Sequence, residues 1–268
     1  MDEAATVLGI SRPRSVVYIN DCLDVLSSMA ATKVILPKAS EVASIEAGFF
    51  AVAGFPGVVG AVDGTLIAIP RPHDFEGWYC RKGFPAVNVQ AVVDHPGAFR
   101  SISIRSGSNN DQSLWNGSGV RKCLSTFVPP GKHLLVDAGY KIWGHMLTPY
   151  PESEAADERR KRIYNRVHSR TRIAVECAFG RLKNRFRILL AKLEQKTPGR
   201  ICKVIYSCIV LHNMLLAVND SCALNGEDPH RAELQVRDDD GGLSVAEQSF
   251  SHRLGKTKRD DLADIFMS

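Results

Sequence analysis

The sequence predicts an α/β layered domain, and three features point that way. Apolar runs at residues 58–63, 65–69, 86–93 and 99–105 have the length of strands, and Asp94-His95-Pro96-Gly97 supplies a hairpin turn between the last two. A further apolar run at 134–137 lies beyond a short helical stretch, so helix and strand alternate after the opening meander. Spacings of three and four among Val175, Ala178, Phe179, Leu182, Phe186 and Leu189 give the period of an amphipathic helix from about residue 171 to 190.

Taken in order, residues 4–8 and 12–29 read as two helices around Gly9-Ile10-Ser11, with Ser11 as N-cap, like the second half of a helix-turn-helix. Residues 1–35 are therefore assigned to a partial helix-turn-helix segment, followed by a linker at 36–43 rich in Lys, Pro and Ser. Gly64 reads as a turn between two strands, the first ending in Asp63. Asp111 opens a short helix through Leu114 and Trp115, where it reads as an N-cap rather than a fourth carboxylate of a site. The strand at 134–137 ends in Asp137, and a polar loop leads to the helix that carries Glu176. Pro198 and Gly199 read as a break before a last helix at 200–218. The core domain is placed at 55–218. Residues 219–268 lack periodicity, contain Asp238-Asp239-Asp240-Gly241-Gly242, and are expected to form a disordered acidic tail.

With 268 residues, 44% hydrophobic and 24% charged, the chain is neither a coiled coil nor a collagen. Its longest apolar run, 201–218, is interrupted by Lys203, His212 and Asn213, so no transmembrane helix and no membrane partner are expected. The opening Asp2-Glu3 is unlike a secretory signal, and seven cysteines without a C-x-x-C pair argue against a disulfide framework and a zinc ribbon. A reducing intracellular compartment is the corresponding expectation.

Charge is uneven. The chain is +5, but residues 219–268 hold 6 basic and 11 acidic side chains, leaving +10 for residues 1–218. Residues 157–187 alone hold 11 Lys or Arg against three acids, which points to a polyanionic partner. Within the same region, Asp63, Asp137 and Glu176 stand out: carboxylates gathered together repel, and cations neutralise such clusters. Oxygen ligands without His or Cys suit Mg²⁺ or Mn²⁺, and two such ions drive phosphodiester cleavage. On the residues alone, a bland use stands beside this one, with both aspartates as turn residues and Glu176 as the surface partner of Arg172. His168 is as well suited to a local hydrogen bond as to substrate. Cys208 and His212 lie in an apolar stripe rather than in a zinc site.

A set of separated motifs adds to this. Gly60-Ala61-Val62-Asp63-Gly64-Thr65, Arg81-Lys82-Gly83-Phe84, Gly107-Ser108-Asn109-Asn110-Asp111, Val136-Asp137-Ala138-Gly139-Tyr140, Val175-Glu176-Cys177-Ala178-Phe179-Gly180-Arg181-Leu182-Lys183 and Leu211-His212-Asn213 occur in one order and spacing. Together they resemble the PIF/Harbinger transposases and the Harbinger transposase-derived nucleases across residues 55–216. The resemblance implies an RNase H-like DDE nuclease core, a mixed sheet flanked by helices, in which Asp63, Asp137 and Glu176 hold Mg²⁺ or Mn²⁺. It also implies DNA as substrate, Arg81, Lys82, Arg166, Arg170, Arg181, Lys183 and Arg185 as DNA contacts, and a separate Myb/SANT-like protein that aids DNA binding and import into the nucleus. Arg159-Arg160-Lys161-Arg162 reads as an import signal. The rival reading is a catalytically retired, transposon-derived DNA-binding or protein-interaction protein, and either reading leaves room for an oligomer.

Overall fold

The computed structural model describes residues 2–71, 76–195, 197–220 and 245–267. Helices α1 (Asp2–Val7), α2 (Arg12–Ser28), α3 (Ala30–Lys33) and α4 (Ala39–Ala53) precede the sheet. The expected linker is thus the start of α4. The Lys38 N–H donates to Glu41 Oε2 at 2.8 Å to seal its first turn, and Val42, Ile45 and Phe49 bury a stripe at helical spacing. Lys, Pro and Ser at 37–40 mark a helix start, a signal easily mistaken for a linker.

Five strands follow: β1 (Val58–Ala68), β2 (Ala86–Val93), β3 (Phe99–Ser106), β4 (His133–Leu135) and β5 (Met146–Leu147), in the order β3-β2-β1-β4-β5. The first three form the expected antiparallel meander, and β4 and β5 add in parallel. Gly64 makes no turn. It lies inside one continuous β1, paired with Gln90, so Asp63 is a mid-strand residue. Between β3 and β4 lie α5 (Asp111–Asn116), α6 (Gly119–Lys122) and α7 (Leu124–Phe127). The N-cap of α5 is Asn110, whose side chain accepts from the Ser113 N–H at 2.7 Å, so Asp111 does not carry that role.

After β5 come α8 (Glu152–Asp157), α9 (Arg159–Arg185), α10 (Pro198–Ala217) and α11 (Val245–Ile265). The expected polar loop is the first three turns of α9. Its inward stripe there is Tyr164, His168 and Thr171, which a search for aliphatic periodicity passes over. Pro198 starts α10 instead of breaking a helix, because the first turn lacks partners for its N–H groups anyway. By length and composition α10 could cross a membrane; here it packs against α2, α9 and β3.

The sheet is covered on both faces. Ala61, Ile67, Val89, Ala91 and Leu135 pack with Val175, Ala178, Phe179 and Leu182 of α9 and with Ile205 and Ile209 of α10. The other face joins Val62, Val92, Leu134 and Val136 to Trp115, Val120 and Phe127. Helix α2 lies on α10, where Arg200 donates to Asn20 at 3.0 Å, Lys203 pairs with Asp24 at 2.5 Å and Ser207 donates to the Leu23 carbonyl at 3.2 Å.

The expected disordered tail is overturned for 245–265, which is helix α11. Leu262 and Ala263 enter the core, Tyr150 donates to Asp260 at 2.5 Å, Arg259 lies 3.9 Å over the Tyr150 ring, and Lys258 donates to the carbonyls of Lys132 and Gly144 at 3.0 and 3.2 Å. The Asp238–Asp240 run lies outside the described residues. Gly255 lets α11 approach so closely that a Cβ there would stand 2.7 Å from the Trp143 carbonyl carbon. Gly255→Val is therefore expected to lift α11 and cost about 1–3 kcal/mol, read by thermal unfolding; an unchanged midpoint would show that this contact is dispensable.

Candidate active site

The register of β1 and β4 sets the position of the two aspartates. Ala61 pairs with Leu135 in parallel, so Asp63 and Asp137 both sit two residues beyond that pair, at the same level of neighbouring chains. Alternation along β1 turns Asp63 to the same face as Ala61 and Thr65, toward α9. On α9, Arg172 and Glu176 are one turn apart. The Arg172 guanidinium donates to Asp63 Oδ2 at 3.0 Å through Nη1 and to Glu176 Oε1 at 2.6 Å through Nη2, and it is buried. Arg172 does pair with Glu176, whose side chain is 28% exposed, and it also reaches the buried Asp63, so it links the two acids.

The electrostatics fit a crowded acid cluster. Burial and then the charges of Asp63 and Asp111 push Asp137 up to about 7. Asp111 is pushed up to about 6 by burial and by Asp63. Asp63 is raised by burial, against the pull of Arg172. Burial opposes the charge on Arg172, yet Asp63, Glu176 and Asp137 together raise its pKa. Positive charge is in short supply around Asp63, Asp111, Asp137 and Glu176.

A second polar layer holds Asp111 and the Asp137 loop in place. Gln90 Nε2 donates to the Asp111 carbonyl at 2.9 Å and to Tyr140 Oη at 2.8 Å, joining the two segments. The Lys141 N–H donates to Gln112 Oε1 at 2.8 Å, a second tie between α5 and that loop. Asp137 Oδ1 accepts from the Gly139 N–H at 2.9 Å. Asn88 donates to the Asn109 carbonyl at 3.2 Å and to Asp111 Oδ1 at 3.3 Å, while its own Oδ1 is buried without a hydrogen-bond partner. Sequence reasoning missed Asn88, Gln90 and Tyr140 in these roles; polar residues inside apolar strand runs were the available signal.

The donors match a hard divalent cation in kind, being carboxylate oxygens plus an unpartnered amide oxygen. As they stand, no three His, Cys, Asp or Glu side chains among the described residues close around one point, because Arg172 lies between Asp63 and Glu176. Asp63, Asp137 and Glu176 are the residues that could hold Mg²⁺ or Mn²⁺.

The basic residues fall into distinct groups. Arg166 and Arg170 are exposed one turn apart on α9, on a face turned away from that of Arg172, since positions two apart on a helix do not face each other. Arg81 and Lys82 are exposed, and Arg81 lines a cavity of about 270 Å³ that also touches Asn88 and Asp111. Arg181 donates to the Pro96 carbonyl at 3.1 Å, and Arg185 pairs with Asp220 at 3.0 Å. Lys183 differs from the expectation. It is buried, and its Nζ donates to Thr65 Oγ1 at 2.7 Å and the Leu66 carbonyl at 3.2 Å, which turns it from a DNA contact into a pin between α9 and β1. In the 159–162 run, Arg160 pairs with Glu158 and Asp264, and Lys161 with Glu154 and Glu158. His168 and His212 are core residues bonded to the carbonyls of Leu147 and Gly97 at 3.0 and 3.1 Å, and burial lowers them to about 3 and about 4.

Residues 62–213 match the profile of the DDE superfamily endonucleases. Among curated proteins, the mouse HARBI1, which carries the word nuclease in its name, is 34% identical over 179 residues, covering 65% of this chain and 50% of that protein. The human HARBI1 is 29% identical over 216 residues, covering 78% and 60%. An ALP1-like protein of Arabidopsis thaliana is 26% identical over 201 residues, covering 68% and 48%. The chain spans about half the length of the curated relatives it matches. No solved structure matches it.

Two expectations follow from the geometry. Asp137 keeps its proton to about 7 in the fold, against an ordinary value of 3.8. The unfolded chain therefore ionises first, and this group withdraws stability as pH rises through that window and no further above it. His168 and His212, held neutral, withdraw stability as pH falls below their ordinary 6.5. The difference between Asp137→Asn and the parent isolates the acid: the variant's advantage in unfolding midpoint, without divalent cations, should grow from about pH 4 to 7. A difference flat in pH would refute the crowding. Lys183→Met should cost about 1–3 kcal/mol by removing a buried donor, in urea melts, while DNA affinity in a filter-binding titration stays within about twofold.

Proposed function

Because the chain belongs to the Harbinger-derived branch of the DDE superfamily endonucleases, we propose that it is a divalent-metal-dependent nuclease that cuts DNA phosphodiester bonds by the two-metal DDE route. The observation that carries the reading is the Arg172 bridge from Asp63 to Glu176, with Asp137 level with Asp63 and both aspartates buried and holding their protons unusually tightly. Structural acids at turns would stand apart in solvent; crowding them under a covered sheet has a physical cost that an active site explains.

Mg²⁺ or Mn²⁺ bound there supplies activation of a water or a DNA 3′-hydroxyl and stabilises the leaving oxygen. The chain's own residues do the rest. Asp63, fixed within β1, and Asp137, fixed by the Gly139 N–H, present oxygens from the sheet, and Glu176 presents a third from α9. Arg172 offsets their charge and holds the helix in register with the strand. Arg166 and Arg170, exposed on the helix that carries Glu176, offer phosphate contacts, as do Arg81, which lines the cavity beside Asp111, and the exposed Lys82 next to it. The partner we propose is a Myb/SANT-like protein supplying sequence-specific DNA contact, and the site of action the nucleus, reached through the run beginning at Arg159.

The test is nicking of supercoiled plasmid with Mg²⁺ or Mn²⁺. Asp137→Asn should reduce nicking to background, as chelator does, with salt-sensitive DNA binding retained or slightly tighter; nicking that persists in the purified variant refutes the reading. Arg166→Ala with Arg170→Ala should instead weaken binding to all sequences and flatten the log-log salt dependence by about 2, roughly one per phosphate contact.

A further inference from the structure

Resting on the nuclease reading above, we propose that Asp111, supported by the side-chain oxygen of Asn88, is a fourth oxygen ligand for divalent cations in the acid cluster. Three observations carry it. Asp111 opens α5, but the capping role that would account for an acid there belongs to Asn110, so the Asp111 carboxylate has no part in closing the helix. Asp111 Oδ1 and Asn88 Oδ1 converge over Gly64: a Cβ on that residue would lie 2.6 Å from the first and 3.1 Å from the second. Gly64 follows Asp63 directly in β1, so the pair of oxygens reaches the strand beside Asp63 from the face opposite α9.

The Asn88 oxygen is the independent sign of a ligand. Asn88 is 4% exposed, and its Oδ1 has no partner. The amide cannot be turned to hide this, because its nitrogen faces two oxygens, the Asn109 carbonyl and Asp111 Oδ1, and a flip would set a carbonyl oxygen against both. A buried acceptor left open beside a buried carboxylate is a pair that a hard cation satisfies. Gln90 supports the placement from behind, holding the Asp111 backbone and Tyr140 with one amide nitrogen and so fixing Asp111 relative to the loop of Asp137. The pair of residues borders a cavity that is also lined by Arg81.

The experiment is Mn²⁺ binding to the full chain in the presence of duplex DNA, followed by the loss of the free Mn²⁺ electron paramagnetic resonance signal, with thermal unfolding measured on the same samples. Asp111→Asn preserves shape and should weaken Mn²⁺ binding about tenfold or more, with an unfolding midpoint equal to or above the parent. Asn110→Ala should do the reverse, lowering the midpoint by loss of the cap while Mn²⁺ affinity stays within about twofold. Parent binding that Asp137→Asn weakens and Asp111→Asn does not would overturn this inference and leave the nuclease reading standing. A parent that binds no Mn²⁺ would overturn both. Equal weakening by Asn110→Ala and Asp111→Asn would assign Asp111 to the helix alone and overturn the inference.

Discussion

A guanidinium buried between two carboxylates is the interaction on which the rest of this site depends. Arg172 meets Asp63 across 109 residues of sequence and Glu176 across one helical turn, so one side chain locks a strand and a helix together at the candidate site. Arg172 and Asp63 are out of bulk water there, with Glu176 half-buried beside them, so removing either buried member leaves the other buried and unpaired across that contact. Lys183 repeats the device three turns along α9, gripping Thr65 two residues along β1. These two polar pins fix how α9 slides and turns against the sheet. The apolar packing of Val175, Ala178, Phe179 and Leu182 supplies burial energy but is far less particular about register.

Much of the fold was legible because it rests on local signals. The meander of β1 to β3 follows from apolar runs around a Pro-Gly turn, and the helices from spacings of three and four. What escaped notice had a physical reason in each case. The start of α9 turns Tyr, His and Thr inward, with ring and hydroxyl groups satisfied by nearby carbonyls and packing, so the aliphatic count falls silent there. Helix α4 begins in residues that also suit a linker. Gly64 looked like punctuation because glycine is usually needed for its backbone, whereas here it is needed for the room its missing side chain leaves beside Asp111 and Asn88. The acids of the site were visible as residue types at strand ends and on a helix. The Arg172 bridge between Asp63 and Glu176, the burial of Arg172 and the burial of Lys183 depend on strand register and helix rotation, which one sequence does not specify.

The N-terminal helices and α10 set the limits of this arrangement on one side. Helix α2 is held on α10 by side chains from both elements, and α10 in turn carries His212 and Asn213 against the hairpin, where Asn213 bonds both the N–H and the carbonyl of Phe99 at 2.9 and 2.8 Å. The polar ends of the hairpin are thus satisfied by a helix that follows it by more than a hundred residues, and the Phe99 ring meets Phe179 at a tilt and His212 edge to face, at 5.4 and 5.1 Å between centroids.

Strands β4 and β5 are three and two residues long, too short to define an outer edge by themselves, and α11 lies against that edge. The region that matches the endonuclease profile closes at residue 213, yet the helix that shields the β5 edge begins at residue 245. The evolutionary unit and the cooperative folding unit therefore have different borders. A chain cut at the end of the profile keeps every acid of the site while laying open a pair of short strands to intermolecular pairing. Insolubility of such a fragment would report a lost shield and say nothing of its chemistry.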